Sequence, residues 1–472
     1  MNSNQWRHNA GTRQLALLVQ AVGAIVAQLF LPLGSVSVRA AENPQQLPYV
    51  IYAPGAMRNM VDVPPPALSS PQAVQPGATL AAPSAPDTVS LDQAIHETLH
   101  SDPKLRAALE TITQARADLR TSGILPNPTL TVGGVLLPTR PLSPTRPGGP
   151  PEFDIIASYP IDWFLFGKRA AAMTNARLAV DVSAADYADQ VRQRLAGTAA
   201  AFYDVLEAQA TLNLAREDLD SLQRVETMTR RRVQLGGVGS IESDRMRLSV
   251  LDAQRETRNR ETALATARAQ LRAAMGRGIA APPPEVAGSL DVPAPAPPLQ
   301  VGEALAIAEQ NRPDVVSLER QIAKARSGIA VEKTKAFPSV APSAGSQYQY
   351  QTEIGSPNAA EYTATVNVTI PLFDRNQGNI NKAESVLAQT YFNLQAQMIQ
   401  VRAEIEQAVA EFQAARNDVT LVGPQQLQTA RSVRDRTQAA YQAGGMSLLE
   451  VLDSERAYRD TYRTYIMGQS AY

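Results

Sequence analysis

The sequence predicts a mainly α-helical, internally duplicated chain with a small β part, its long helices packed as coiled coils. Three observations predict it. From Gly167 to Leu235 there is no proline and one internal glycine, Gly197. Across that stretch Leu178, Val182, Ala185, Ala188, Val191, Leu195, Ala199, Phe202, Leu206, Leu212, Ala215, Leu219 and Leu222 recur in threes, fours and their sums, the period of one helix face. Such a helix is about 100 Å long. No globular core buries it, so it must pack lengthwise against other helices. A second rod runs from Gly378 to about Tyr441, interrupted at Gly423-Pro424. Finally, the two rods begin alike: Tyr159-Pro160-Ile161 precedes Gly167 and Ile370-Pro371-Leu372 precedes Gly378.

Charge is nearly balanced, with 44 basic and 45 acidic residues, which argues against a nucleic-acid surface. The absence of cysteine excludes disulfides, thiolate zinc sites, cysteine catalysis and a lipid attached through an N-terminal cysteine. Aromatic residues are only 5%, which suits long helices better than a thick core.

Residues 1–40 read as an export signal. Arg7 and Arg13 give the positive start, Leu15 to Leu33 the apolar run and Val38-Arg39-Ala40 the small-residue cleavage site. The same run, about 17 residues before Pro32, is at the short end for a retained membrane anchor. Residues 41–87 are a Pro/Ala-rich leader that cannot bury enough apolar surface to fold alone. A short helix begins at Leu91 with Ser90 as N-cap, and a second runs from Pro103 to about Ser122. Leu125-Pro126-Asn127-Pro128 breaks it. Strands are expected at about 129–137 and 152–161, then the long helix 167–235, the reversal Gly236-Gly237-Val238-Gly239-Ser240 and a return helix to Met275.

A Pro-rich linker, 276–300, separates the first repeat (88–275) from the second (301–472). Val301 to Val315 matches Leu91 to Leu105 at an offset of 210, Pro371 and Gly378 match Pro160 and Gly167 at 211, and Gly444 to Ser447 match Gly237 to Ser240 at 207. Offsets this constant over half a chain mark a duplication. Each copy reads helix, strand, loop, strand, long helix, turn, helix. The short helices, laid end to end, can run beside most of the rod, which puts the proline-rich segments at mid-rod and the glycine reversals at the end far from the strands. In the second copy, with strands at about 340–351 and 361–372 and the long helix 378–443, Tyr362, Ala364, Val366, Val368 and Ile370 alternate with Thr363, Thr365, Asn367 and Thr369. Gln347, Gln349 and Gln351 alternate with Ser346, Tyr348 and Tyr350. One face is apolar or aromatic and the other polar and uncharged. About ten residues match a tilted membrane-spanning strand. An ordinary hairpin with one wet face has the same pattern. Four strands cannot close a barrel, so membrane strands would require several chains to share one.

Together with Leu125-Pro126-Asn127-Pro128, Phe166-Gly167-Lys168-Arg169 and Pro371-Leu372-Phe373-Asp374-Arg375-Asn376-Gln377-Gly378, this pattern resembles the TolC-like outer-membrane factor family over about residues 88–472. The last two motifs look most like its cobalt–zinc–cadmium branch. The resemblance implies a homotrimer in which four strands per chain make a twelve-stranded outer-membrane β-barrel and the helices a periplasmic tunnel. It implies three partners besides the chain itself: outer-membrane lipid, a periplasmic adaptor and, through it, an inner-membrane resistance–nodulation–division pump. The expected function is a passive exit duct for divalent heavy-metal cations, without catalysis or cofactor. The same duct for drugs or type I protein secretion is the alternative, as is a soluble periplasmic coiled-coil scaffold.

By motif, Gly236, Gly237, Val238, Gly239, Ser240, Gly444, Gly445, Met446, Ser447 and Leu448 would face the adaptor; the same glycines and serines also serve simply to turn the chain and cap the next helix. Asp244, Glu450 and Asp453 are candidates to line the entrance and draw cations, or are solvated charges paired with Arg245 or Arg456. Pro160, Gly167, Pro371 and Gly378 are the expected strand-to-helix hinges. His96-Glu97-Thr98-Leu99-His100 spells the H-E-x-x-H zinc-protease pattern. No third ligand follows at a familiar spacing, and the second copy has Ala306, Ile307 and Gln310 there, so no catalytic zinc site is expected, and an incidental surface metal site at His96 and His100 is the stronger of the two metal readings. A peptidase reading would require loss of activity on changing Glu97.

Overall fold

The computed structural model describes residues 88–135, 151–278, 280–291, 296–352 and 355–472. The expected export signal, the leader and most of the loop after the first strand lie outside the described residues. β1 (Thr88–Val89) precedes α1 (Leu91–Ser101), where the Ser90 hydroxyl accepts from Gln93 N–H and the Gln93 side chain accepts from Ser90 N–H. Asp102 caps α2 (Pro103–Gly123), which has proline at its first position. β2 (Thr129–Val135), β3 (Glu152–Ser158) and the single turn α3 (Asp162–Leu165) lead into α4 (Lys168–Gln234), 67 residues long. α5 (Ser240–Ala274) returns beside it.

The second copy follows β4 (Glu285–Val286). It comprises α6 (Val301–Asn311), α7 (Pro313–Lys335), β5 (Ser339–Gln349), β6 (Ala359–Thr369), α8 (Gln377–Asn417), a π-helical turn at Asp418–Val422, α9 (Gly423–Gln442) and α10 (Leu448–Ala471).

Helix α4 is the axis. Beside its first half lie α2, through Ile112 and Ala115 on Val180, and α7, through Ser317 on Asp186 and the Arg320 bond to the Asp181 carbonyl at 2.8 Å. Beside its second half lie α5, through Met246 and Val250 on Leu222 and Val225, and α10, through Tyr458 on Leu214. The short helices therefore run end to end along the rod. At mid-rod the parallel pair β1–β4 sets Val89 and Val286 over Phe202, Val205, Leu206, Leu271 and Met275. Full burial of such side chains stabilises by about 1.5–3 kcal/mol each. The linker also reaches the second rod there: Arg416 donates to the Ala296 carbonyl at 2.9 Å, and Ala296 N–H donates to the Tyr472 hydroxyl at 2.6 Å.

Two expectations are corrected. The second rod is not broken at Gly423-Pro424. The π turn lets Gly423 N–H bond Asp418 O, and this wider turn accommodates a proline that has no N–H and whose ring would press on the carbonyl four residues back. The strand expected over 152–161 ends at Ser158, although Tyr159 and Ile161 still donate to Pro342 and Val340 carbonyls. Pro160 between them has no donor to continue the ladder.

Two glycines on α4 and at the end of α5 should respond oppositely to alanine. A Cβ at Gly197 meets nothing within 4 Å, whereas one at Gly276, whose φ is +72°, falls 2.7 Å from Asp102 Cα. Gly197→Ala is expected to stabilise by about 1 kcal/mol. Gly276→Ala should destabilise by about 1–3 kcal/mol. Denaturation of the two variants in detergent, side by side, checks both signs.

Candidate functional site

The four longer strands form one antiparallel sheet in the order β2-β3-β5-β6. The β3–β5 pairing joins the two copies. Its register sets Val132 opposite Ile155, Phe153 opposite Tyr348 and Ser346 opposite Tyr362. Leu130, Val132, Phe153, Ile155, Tyr362, Val366 and Val368 therefore share one face, and all are exposed, Tyr362 at 80%. On the other face Gln347 and Gln349 donate to Glu152 at 2.6 and 3.2 Å, and the Ser343 and Thr365 hydroxyls lie 2.6 Å apart. This face is not uncharged throughout: Glu152, Asp154 and Glu361 join it, in register with Gln349 and Gln347. The outer edges of β2 and β6 have no strand partner among the described residues.

The hinges are less symmetric than the sequence repeat. Gly167 caps α4 with φ +64°. The equivalent left-handed residue before α8 is Asn376, φ +60°, while Gly378 lies inside the helix. Asparagine is the side chain best able to adopt this conformation after glycine. Its amide here bonds the Glu332 carbonyl and carboxylate at 2.8 and 2.9 Å, tying α8 to the end of α7. Gly378 is thus corrected as the second hinge. Asn376 stands in the Asp374-Arg375-Asn376-Gln377-Gly378 motif, two residues before the glycine to which the spacing from proline points. Pro160 and Pro371 both stand just after their strands end. Beside the first of them, α3 exposes Phe164, and beyond the second Phe373 is 92% exposed.

At the far end the two reversals are built alike. Gly236 (φ +75°) and Gly444 (φ +83°) take the left-handed position, and Gly237 N–H and Gly445 N–H bond the Arg232 and Ala440 carbonyls, both at 2.9 Å. This geometry pairs Gly236 with Gly444 and Gly239 with Ser447, an offset of 208 rather than 207. Ser447 caps α10 in a reciprocal box with Glu450, but the cap of α5 is Gly239, and Ser240 is already helical. Glu242, in the place of Glu450, has no hydroxyl to meet, and its Oε2 is buried without a hydrogen-bond partner among the described residues. Val238 and Met446 bridge the turns, and Leu448 is buried with Tyr441, Val225 and Val451.

Beneath the turns the two hairpins are stitched by polar groups that periodicity does not reveal. The Tyr441 hydroxyl lies 2.9 Å from Thr229 Oγ1, Arg232 donates to the Tyr441 carbonyl at 3.1 Å, and Ser221 donates to Glu455 at 2.8 Å. Gln438 donates to both Ser221 and Glu455. Asp218 is pushed above the usual carboxylate range by burial, against the pull of Arg459 at 3.4 Å. Of the three acidic candidates, Asp244 and Asp453 are exposed and form no ion pair among the described residues. Neither pairs with Arg245 or Arg456. The Glu450 carboxylate accepts from Ser447 N–H at 2.7 Å and from its hydroxyl at 2.9 Å.

The H-E-x-x-H motif lies on α1. His96 and His100 are exposed and stacked, ring centroids 4.2 Å apart. Glu97 is engaged elsewhere, held bidentately by Arg277 at 2.6 and 2.7 Å. Among the described residues no group of three or more His, Cys, Asp or Glu side chains could hold a metal ion, and no helix is long and apolar enough to cross a membrane.

An elongated coiled-coil rod that carries a small sheet, apolar on one face and open at both edges, defines the class: a duplicated, mainly α-helical rod-and-sheet subunit. The profile of the outer membrane efflux protein family matches residues 94–277 and 304–472, and the chain belongs to that family. It is 25% identical to the cobalt-zinc-cadmium resistance protein CzcC of Cupriavidus metallidurans over 81% of this chain and 87% of that protein. To the cation efflux system protein CusC of Escherichia coli K12 it is 23% identical over 58% of this chain and 60% of that one. A crystal structure of CusC superposes with a TM-score of 0.66 at 22% identity, covering 81% of this chain and 89% of the other, which establishes the shared fold.

The Ser447 N–H and hydroxyl hold the Glu450 carboxylate below the usual range. A lowered folded pKa means the cap contributes above the ordinary value of about 4.3 and is lost as pH falls through the lowered one. Amide exchange at Leu448 to Glu450, corrected for intrinsic rates, should therefore accelerate below about pH 4. Glu450→Gln, which can still complete the box, should remove this pH dependence.

Proposed function

We propose that three copies of this chain close one twelve-stranded barrel in the outer membrane, with the rods forming a tunnel into the periplasm. The observation that carries this reading is the sheet. A single chain leaves the edges of β2 and β6 open, and its outer face is apolar. Open edges are not tolerated in hydrocarbon, so lipid placement demands closure by further copies. The paired tip turns, at the end of the rods away from the sheet, are where a periplasmic adaptor would dock and connect the tunnel to an inner-membrane resistance–nodulation–division pump. The duct itself is passive and performs no catalysis. Exposed Asp244 and Asp453 stand one to two turns past those reversals, suited to a cation-attracting entrance.

Divalent heavy-metal cations are the proposed cargo. The support is the similarity to proteins named for cobalt-zinc-cadmium resistance and cation efflux. On the polar face of the sheet glutamine, serine and threonine suit any aqueous pore, and Glu152, Asp154 and Glu361 add negative charge without distinguishing one cation from another.

Detergent-solubilised particles from isolated outer membranes should contain three chains, about 150 kDa of protein for a 50.8 kDa precursor. A monomer or dimer released without detergent would instead identify a soluble scaffold. Deleting the protein should raise cell-associated zinc, cobalt and cadmium. Unchanged metal with new drug sensitivity would reassign the cargo.

A further inference from the structure

We propose that His96 and His100 form a two-histidine surface site for a borderline divalent transition-metal ion such as Zn²⁺, Ni²⁺ or Co²⁺. The pair is one turn apart on α1, and both rings project from an exposed face. Residues four apart on a helix stand one above the other. The ring centroids lie 4.2 Å apart with 24° between their planes. A metal ion bound at about 2.0–2.1 Å lies in the plane of each imidazole, so the rings must turn out of this stack to bring one nitrogen of each onto a common ion, and as exposed side chains they have the room to do so. His100 Nδ1 lies 2.8 Å from the His96 carbonyl, which can only accept, so that nitrogen carries the proton. The arrangement leaves the His100 Nε2 lone pair free, in the way a backbone carbonyl ordinarily fixes the tautomer of a metal-binding histidine.

The pair has no structural duty that explains it. The packing of α1 on α4 is made by other residues, Ala94, which is fully buried, and Thr98, whose hydroxyl meets that of Thr198 at 3.0 Å. The second copy builds the corresponding helix with Ala306 and Gln310. Arg106 is the near cation, but its guanidinium is spent on the His100 carbonyl at 2.8 Å. Asp92, exposed one turn before His96, adds negative charge to the same column. Glu97 is bound to Arg277 and is not available as a base. The site therefore binds and does not hydrolyse, and two protein ligands leave the remaining coordination to water. It stands independently of what the duct carries.

Calorimetric titration of the tag-free, detergent-solubilised full chain with ZnCl₂ or NiCl₂ in a non-coordinating buffer at pH 7.5 should show one ion per chain. His96→Gln and His100→Gln should each weaken it on the order of a hundredfold, because two linked ligands act as one chelate. The double variant Asp92→His, His96→Gln keeps two histidines on the same face, about 12 Å apart, too far to share an ion. It should bind as weakly as His96→Gln. Circular dichroism would show that these exposed-site variants remain folded. The proposal is overturned if His100→Gln binds as the wild type does, if the double variant keeps full affinity, or if no ion binds.

Discussion

A 67-residue helix cannot hold itself together in water by propensity alone, and its own turn-to-turn contacts bury little. Helix α4 persists because every stretch of it has a neighbour. α2 and α7 cover its first half and α5 and α10 its second. No single helix of matching length is needed on either side. Two shorter ones meet near mid-rod, and the chain leaves the bundle between them. This constraint places the β1–β4 pair and the Pro-rich linker where they are, at the one level where α4 would otherwise lose its cover. Phe202, Val205 and Leu206 are buried there by Val89, Val286, Leu271 and Met275.

The same arrangement delivers the strands to one end and the turns to the other. α2 rises to β2 and α7 to β5, and β3 and β6 return through short hinges into α4 and α8. The sheet that results joins the two copies through β3 and β5 and leaves β2 and β6 outermost. An edge of unpaired amides on an apolar sheet invites another strand. Its geometry is thus an argument for association, and the family to which the chain belongs gives that association its setting.

Periodicity and spacing made the rods, the repeat and the alternating strands legible, because each rests on a pattern longer than ten residues. What escaped were decisions made by single atoms. Gly378 matched Gly167 by distance from proline, but Asn376 takes the left-handed turn because its amide also reaches Glu332. Ser240 matched Ser447 by identity, yet Gly239 occupies the cap. Pro424 reads as a helix breaker, and one wider turn ahead of it keeps the rod continuous. The H-E-x-x-H spelling proposes a glutamate base, and the fold gives that glutamate to Arg277. The bonds of Thr229 to Tyr441 and of Ser221 to Gln438 and Glu455 have no local signature, since each joins residues more than two hundred positions apart.

Those last contacts bear on how the tip is held. An apolar seam between the hairpins would be about as stable, since buried polar groups contribute little once desolvation is counted. It would also tolerate sliding by a turn. Ser221, Gln438 and Glu455 do not tolerate it. Glu455 is 3% exposed, and a shift of one turn would leave its carboxylate buried without donors. A rod about 100 Å long that packs through recurring aliphatic side chains has many near-equivalent registers. A few buried hydrogen bonds near one end remove that degeneracy. They fix where the two hairpins meet beneath the Gly236 and Gly444 turns.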